Sequence, residues 1–135
     1  MGTERKKLWL SPVSPAADGT LYQQIVERLK REIGEGRLAP GAPLPSFRAL
    51  AEDLLVSVIT VKRAYEELER EGIIYRRQGL GTYVAEAGRD RTRKGKLESA
   101  KEWLRQGFRE AKEAGLDGTE IGDLAREILK ESGIK

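Results

Sequence analysis

The sequence predicts an α+β protein in which three helices are closed by a β-hairpin and followed by two further helices. Three observations carry that reading. Apolar residues recur at helical spacing in five separate stretches. Two short strand-like runs flank a glycine-containing turn after the third stretch. The tripeptide Leu55-Val56-Ser57 joins two of the helical patterns with almost no connecting chain.

Residues 1–19 contain Pro12, Pro15 and Gly19 and little periodicity, which predicts an extended or disordered arm with a short strand at Leu8 to Leu10. The first helix opens on Thr20, where Gln23 three residues later completes a capping box, and Leu21, Ile25, Leu29 and Ile33 form one stripe. Gly34 and Gly36 end it. Pro40-Gly41 suits a type II turn, Pro43 and Pro45 force extended backbone, and Ser46 caps a short second helix whose inner face is Phe47, Leu50, Ala51 and Leu54. Ser57 caps a third helix with Val61, Ala64, Tyr65 and Leu68 inward and Gly72 as its stop. Strands follow at Ile73 to Arg77 and Thr82 to Ala85, with Tyr75 and Tyr83 expected as cross-strand packing. Residues 89–96 read as a basic linker. Beyond it Leu97, Ala100, Trp103, Leu104, Phe108 and Ala111 line one helix, Leu116-Asp117-Gly118 breaks it, and Ile121, Leu124, Ala125, Ile128 and Leu129 line another.

Composition excludes several classes of function. A chain of 135 residues suits one compact domain with an appendage. With 39% hydrophobic and 35% charged residues and no long apolar run, it is expected to be soluble. No signal segment opens the sequence, so a cytoplasmic location is expected. Cysteine and histidine are absent, which removes disulfides, thiolate and imidazole chemistry and nearly every zinc site. No carboxylate pair stands apart from the solvated helix faces. No catalytic residue, metal or cofactor is therefore expected, and nothing identifies a small-molecule effector.

Net charge is only +3, and residues 1–88 hold 13 Lys+Arg against 12 Asp+Glu. The excess concentrates in RDRTRKGK, residues 89–96, a run that attracts polyanions or simply solvates a linker.

Two helices joined by a three- or four-residue turn, the second with a polar N-terminal face free, make a helix-turn-helix. A B-DNA major groove, about 12 Å wide, admits one such helix. The hairpin then adds a wing, whose Arg76, Arg77 or Gln78 reach phosphates or the minor groove, with Gly79 and Gly81 allowing close approach. For that use Ser57, Val58, Ile59, Thr60, Lys62 and Arg63 must stand clear of the globule. Thr60 has two readings, a hydroxyl closing the first helical turn or a phosphate contact. Arg48, a cation placed against the helix dipole, points to function.

The ordered set GRL.PG..LPS.R.LA....VS..TV.RAY..L...G.I..R.G.GTYV, beginning at Gly36, resembles the winged helix-turn-helix domain of the GntR family of bacterial transcription factors, with the resemblance covering residues 20 to 86. The two-helix extension looks like that of the YtrA subfamily. The resemblance implies DNA contact by Arg48, by Val58, Ile59, Thr60 and Lys62, and by Gln78 and Gly79 at the wing tip. It also implies repression, with a regulated transport operon nearby. Where many members carry Glu, Gly, Arg and Thr, this chain has Phe47, Leu55, Val58 and Ile59. Either the turn avoids positive φ at Leu55 or core contact there compensates the strain. Val58 and Ile59 can touch only a thymine methyl, so base readout is expected to lean on Arg48, Lys62 or Arg63 and on DNA shape.

A two-helix hairpin this small cannot bury both its stripes, so a homodimer through Leu97, Ala100, Trp103, Leu104, Phe108, Ile121, Leu124 and Ile128 is expected. Double-stranded operator DNA and a second copy are the expected partners, with no membrane. The competing readings are a winged-helix protein-interaction module, favoured by the near-neutral charge of residues 1–88 and by the apolar Val58-Ile59 face, and an enzyme fusion, for which about 45 residues after the wing are too few.

Overall fold

The structure is a computed structural model and describes residues 10–14 and 19–135. Its elements are α1 (Leu21–Gly34), α2 (Phe47–Leu54), α3 (Val58–Arg70), β1 (Ile74–Arg77), β2 (Gly81–Val84), α4 (Gly88–Glu113) and α5 (Gly118–Glu131). The chain divides into one compact unit ending at Lys94 and a second from Gly95 to Lys135. Among the described residues no helix is long and apolar enough to cross a membrane.

The first unit is built around three helical stripes. Ile25, Leu29 and Ile33 of α1 meet Leu50 and Ala51 of α2 and Val61, Ala64, Tyr65 and Leu68 of α3, all buried, while Leu21, Phe47 and Leu54 are half-buried at the margin. Thr20 and Gln23 form the reciprocal capping box that starts α1. Pro40-Gly41 makes the expected type II turn, with Gly41 at φ 81° and the Ala42 N–H donating to the Ala39 carbonyl. The chain then runs beside β2: Leu44 N–H donates to Thr82 O at 2.8 Å and Val84 N–H to Ala42 O at 2.9 Å. This lays the loop along the wing and buries Leu38 and Leu44.

The wing strands pair Ile74 with Val84, Tyr75 with Tyr83, Arg76 with Thr82 and Arg77 with Gly81. β1 starts one residue later than expected because Ile73 is drawn into the α3 stop, its N–H bonded to Leu68 O, and β2 starts one residue earlier because Gly81 pairs with Arg77. Leu8 and Trp9 lie outside the described residues, and Leu10 is not in a strand. Residues 10–14 instead lie along α1, with Arg28 donating to Ser11 O and Pro12 O, and buried Gln24 exchanging hydrogen bonds with the Ser14 backbone.

Residues 89–96, expected as a linker, form the opening turns of α4, and the boundary between the two compact units falls inside them, after Lys94. Most of the run is helix-compatible, and its arginines gain acceptors: Arg89 and Arg93 each donate to Gly34 O at 3.3 Å, and Arg91 to Glu71 O at 3.4 Å. These carbonyls end α1 and α3, where a cation opposes the negative dipole pole. Gly88 fits the start of α4 because a Cβ there would lie 2.6 Å from Ile73 O.

Leu55 overturns both alternatives offered for it. It adopts φ 57°, ψ 46°, so the turn does not avoid the left-handed region, and its side chain is 91% exposed, so no core contact compensates. The backbone enforces this geometry. Val56 N–H bonds to Ala51 O and Leu55 N–H to Glu52 O, the paired bonds of a Schellman stop in which glycine is the usual occupant.

In the second unit Asp117 and Glu120 form a capping box at α5, and Gly118 is its first residue, not part of the loop. From Gly95 onward no residue is buried.

Two stability predictions follow from these contacts. Leu55→Gly removes left-handed strain and is expected to stabilise the domain by up to about 1 kcal/mol in chemical denaturation. Tyr65, buried with its hydroxyl donating to Pro45 O at 2.8 Å, has its pKa raised by burial. The folded state therefore holds the proton more tightly, so stability is intact below about pH 10 and falls above it by up to about 1.4 kcal/mol per pH unit. Tyr65→Phe should abolish that slope in denaturation series run between about pH 9 and pH 11.

Candidate nucleic-acid interface

The site is made by the α2–α3 corner and the wing. Ser46 Oγ accepts from Ala49 N–H at 3.1 Å to start α2, and Ser57 Oγ accepts from Thr60 N–H at 3.2 Å to start α3. Ser57 Oγ and Thr60 Oγ1 lie 2.8 Å apart in a further hydrogen bond. Of the two readings of Thr60, the geometry shows the helix-closing one. Because Val61, Ala64, Tyr65 and Leu68 fix the inner face of α3, Ser57, Val58, Ile59, Lys62 and Arg63 are left exposed, with Thr60 half-buried.

The cations differ in their commitments. Arg48, exposed in the first turn of α2, and Lys62 have no ion-pair or hydrogen-bond partner among the described residues. The Arg63 guanidinium lies 3.9 Å from the Tyr22 ring centroid, a cation–π contact that ties it to α1. Arg76 sits 5.0 Å from the Phe47 ring centroid and 3.9 Å from Glu69. Farther along α3, Arg70 hydrogen-bonds Glu67 and holds that carboxyl below its ordinary range. Uncommitted positive charge thus stands at the mouth of α3, with exposed Glu52 and Asp53 at the end of α2 beside it and further carboxylates on the later turns of α3.

Gln78 and Gly79 are exposed at the wing tip, with Gly79 at φ 77°. Tyr75 and Tyr83 stack across the strands with ring centroids 5.7 Å apart, as expected. Sequence reasoning missed the exposure of Leu55 and Leu80. For Leu55 the signal was present, a leucine at a position the helix stop gives to glycine. Among the described residues no group of three or more metal-ligating side chains forms. Leu97, Ala100, Trp103, Leu104, Phe108, Leu124 and Ile128 are exposed and Ile121 is half-buried, so the second unit leaves its apolar stripes open.

A trihelical core, a tight corner between α2 and α3, and a two-stranded wing define a winged helix-turn-helix protein. Residues 21–84 match the family model described as bacterial regulatory proteins, gntR family. The chain is 36% identical over 116 residues to the HTH-type transcriptional repressor YtrA of Bacillus subtilis (strain 168), covering 86% of this chain and 89% of that protein. It is 46% identical over 65 residues to the HTH-type transcriptional repressor NagR of the same organism, covering 48% of this chain but only 27% of NagR. Among solved structures, a GntR family transcriptional regulator from Listeria monocytogenes superposes with a TM-score of 0.68 at 33% identity, covering 82% of this chain and 96% of that one. The chain belongs to the GntR family, and it is a DNA-binding transcription regulator.

Ser57→Ala is expected to lower folding stability by about 1 kcal/mol through loss of the α3 cap, measured as a shift in denaturation midpoint at constant slope.

Proposed function

We propose that the chain is a cytoplasmic repressor that binds a palindromic operator as a homodimer, each protomer laying the first turns of α3 in a major groove and its wing against the adjacent backbone. The observation that supports this most directly is the division of α3 into a buried face and an exposed N-terminal face beside two uncommitted cations, Arg48 and Lys62. On this reading Arg48 and Lys62 supply charge and base-edge contact. Ser57, Val58, Ile59 and Thr60 line the entry, and Gln78 and Gly79 approach the backbone. Arg63 contributes only after release from Tyr22.

Dimerisation through α4 and α5 is supported by the open apolar stripes described above, which an identical pair of helices would cover. Two linked half-sites also raise affinity above what a single winged module provides. The similarity to the repressor YtrA across most of both chains favours repression as the outcome of binding.

Three measurements test this. Affinity for an operator duplex should fall by about 10³- to 10⁵-fold between 50 and 200 mM salt if about 6 to 10 phosphates are neutralised. The double variant Arg48→Ala, Lys62→Ala should weaken binding by at least about tenfold; unchanged affinity would instead favour a protein-interaction module. Sedimentation should show a concentration-dependent dimer, and Trp103→Glu with Phe108→Glu should leave a monomer with its winged domain intact.

A further inference from the structure

Large apolar side chains are not scattered over the outer face of the first unit. Among its described residues the exposed ones are Leu55, Val58, Ile59, Tyr75 and Leu80. The first three fall within five residues at the mouth of α3, exposed by 91%, 44% and 78%. The other two are on the wing. A patch confined to the elements that face a ligand marks contact, not random exposure.

Polar groups at this mouth are committed to the fold. Ser57 Oγ accepts the Thr60 N–H and shares a hydrogen bond with Thr60 Oγ1, so both hydroxyls belong to the cap. Between Arg48 and Lys62 the corner offers outward the side chains of Leu55, Val58 and Ile59, with the exposed carboxylates Glu52 and Asp53 at the end of α2. Leu55 strengthens the point, because it holds a left-handed backbone that glycine would adopt without strain and gains no burial in return. Its side chain has a use only outside the fold.

Charge alone does not identify the occupant. Two uncommitted cations flank the patch, the α3 carboxylates Glu66, Glu67 and Glu69 are confined to later turns, and Glu52 and Asp53 at the end of α2 balance the cations. With DNA as the partner of this family, the occupant is a polyanion with hydrocarbon exposed in its groove. In the major groove of B-DNA the group that answers this description is the thymine 5-methyl, whereas guanine and cytosine offer only hydrogen-bonding edges.

We infer that Leu55, Val58 and Ile59 form a methyl-reading patch that selects thymine at the operator positions facing the first turn of α3. The inference rests on the DNA-binding reading above and specifies what that site recognises. Val58 and Ile59 sit on the first turn itself, and Leu55 approaches from the preceding corner.

The test uses the full chain and the tightest duplex recovered from a randomised pool. Thymines are replaced one at a time by deoxyuridine, which removes only the methyl. Replacement at the facing positions should weaken binding by about fourfold per methyl, the factor expected for withdrawing one methyl-sized group from contact. Ile59→Ala should lose the thymine-over-uracil preference at the position it faces, and Val58→Ala with Ile59→Ala should lose it across the first turn, with the thermal midpoint little changed because both side chains are exposed. Leu55→Gly should weaken binding while stabilising the fold, a combination that a purely structural role does not produce. In a duplex carrying C·G at a facing position, 5-methylcytosine should recover about the same factor over cytosine. The inference is overturned if the selected duplex fixes unmethylated G·C there, if uracil is tolerated everywhere, or if the Val58→Ala, Ile59→Ala double variant keeps the full thymine preference. If no duplex is enriched at all, sequence-specific DNA recognition itself fails, and the patch belongs to a protein partner.

Discussion

Val61, Ala64, Tyr65 and Leu68 are almost inaccessible to solvent, and a helix with one face locked into a core has only one orientation left for the other. That constraint organises the domain. α1 supplies the surface against which α3 is pressed, α2 crosses at the corner, and the Tyr65 hydroxyl ties α3 to the Pro45 carbonyl just before α2 begins. The edge-on contact between Phe47 and Tyr65, with centroids 5.2 Å apart, joins the same two helices through their side chains. Orientation of the exposed residues is thus inherited mainly from packing, with the Ser57–Thr60 cap closing the first turn.

Charge is distributed to match. The unit as a whole is close to neutral, yet neutrality hides a spatial sorting. Arg63, Arg76, Arg89, Arg91 and Arg93 are engaged with rings, a carboxylate or main-chain carbonyls, while Arg48 and Lys62 stay unengaged beside the mouth of α3. Bonds to neutral carbonyls and rings fix where Arg63, Arg89, Arg91 and Arg93 stand without cancelling their charge, so residues 89–96 stay cationic while Arg48 and Lys62 keep freedom of position. Field strength at a surface depends on which charges remain uncompensated there.

Much of this was legible in the residues. The stripes of α1 and α3, the capping pair Thr20-Gln23, the Pro40-Gly41 turn and the stop at Gly72 are all local, set by neighbours within one or two turns, and sequence spacing reports local geometry well. What escaped was non-local or a compromise. The bond from Arg89 to Gly34 joins residues 55 positions apart, and no periodicity announces it. Arg63 lies on the outward face by spacing but turns to Tyr22 because an aromatic ring from another helix happens to be within reach. Leu55 was read as a choice between avoiding strain and being compensated by the core, and the chain does neither. At the candidate site, backbone positions were readable and side-chain commitments were not.

The way α4 begins has a wider consequence. Its arginines grip Gly34 O and Glu71 O, which are acceptors supplied by the main chain, and Gly88 is admitted by the carbonyl of Ile73, another main-chain atom. Those acceptors do not change with the side chains on the exposed face of α3, whereas Gly34, Gly72 and Gly88 are held to glycine by buried Thr92, by Arg91 and by the Ile73 carbonyl. Substitution can therefore range over the outward face of α3, and the tight tolerances lie behind it, where the arginines of α4 are seated.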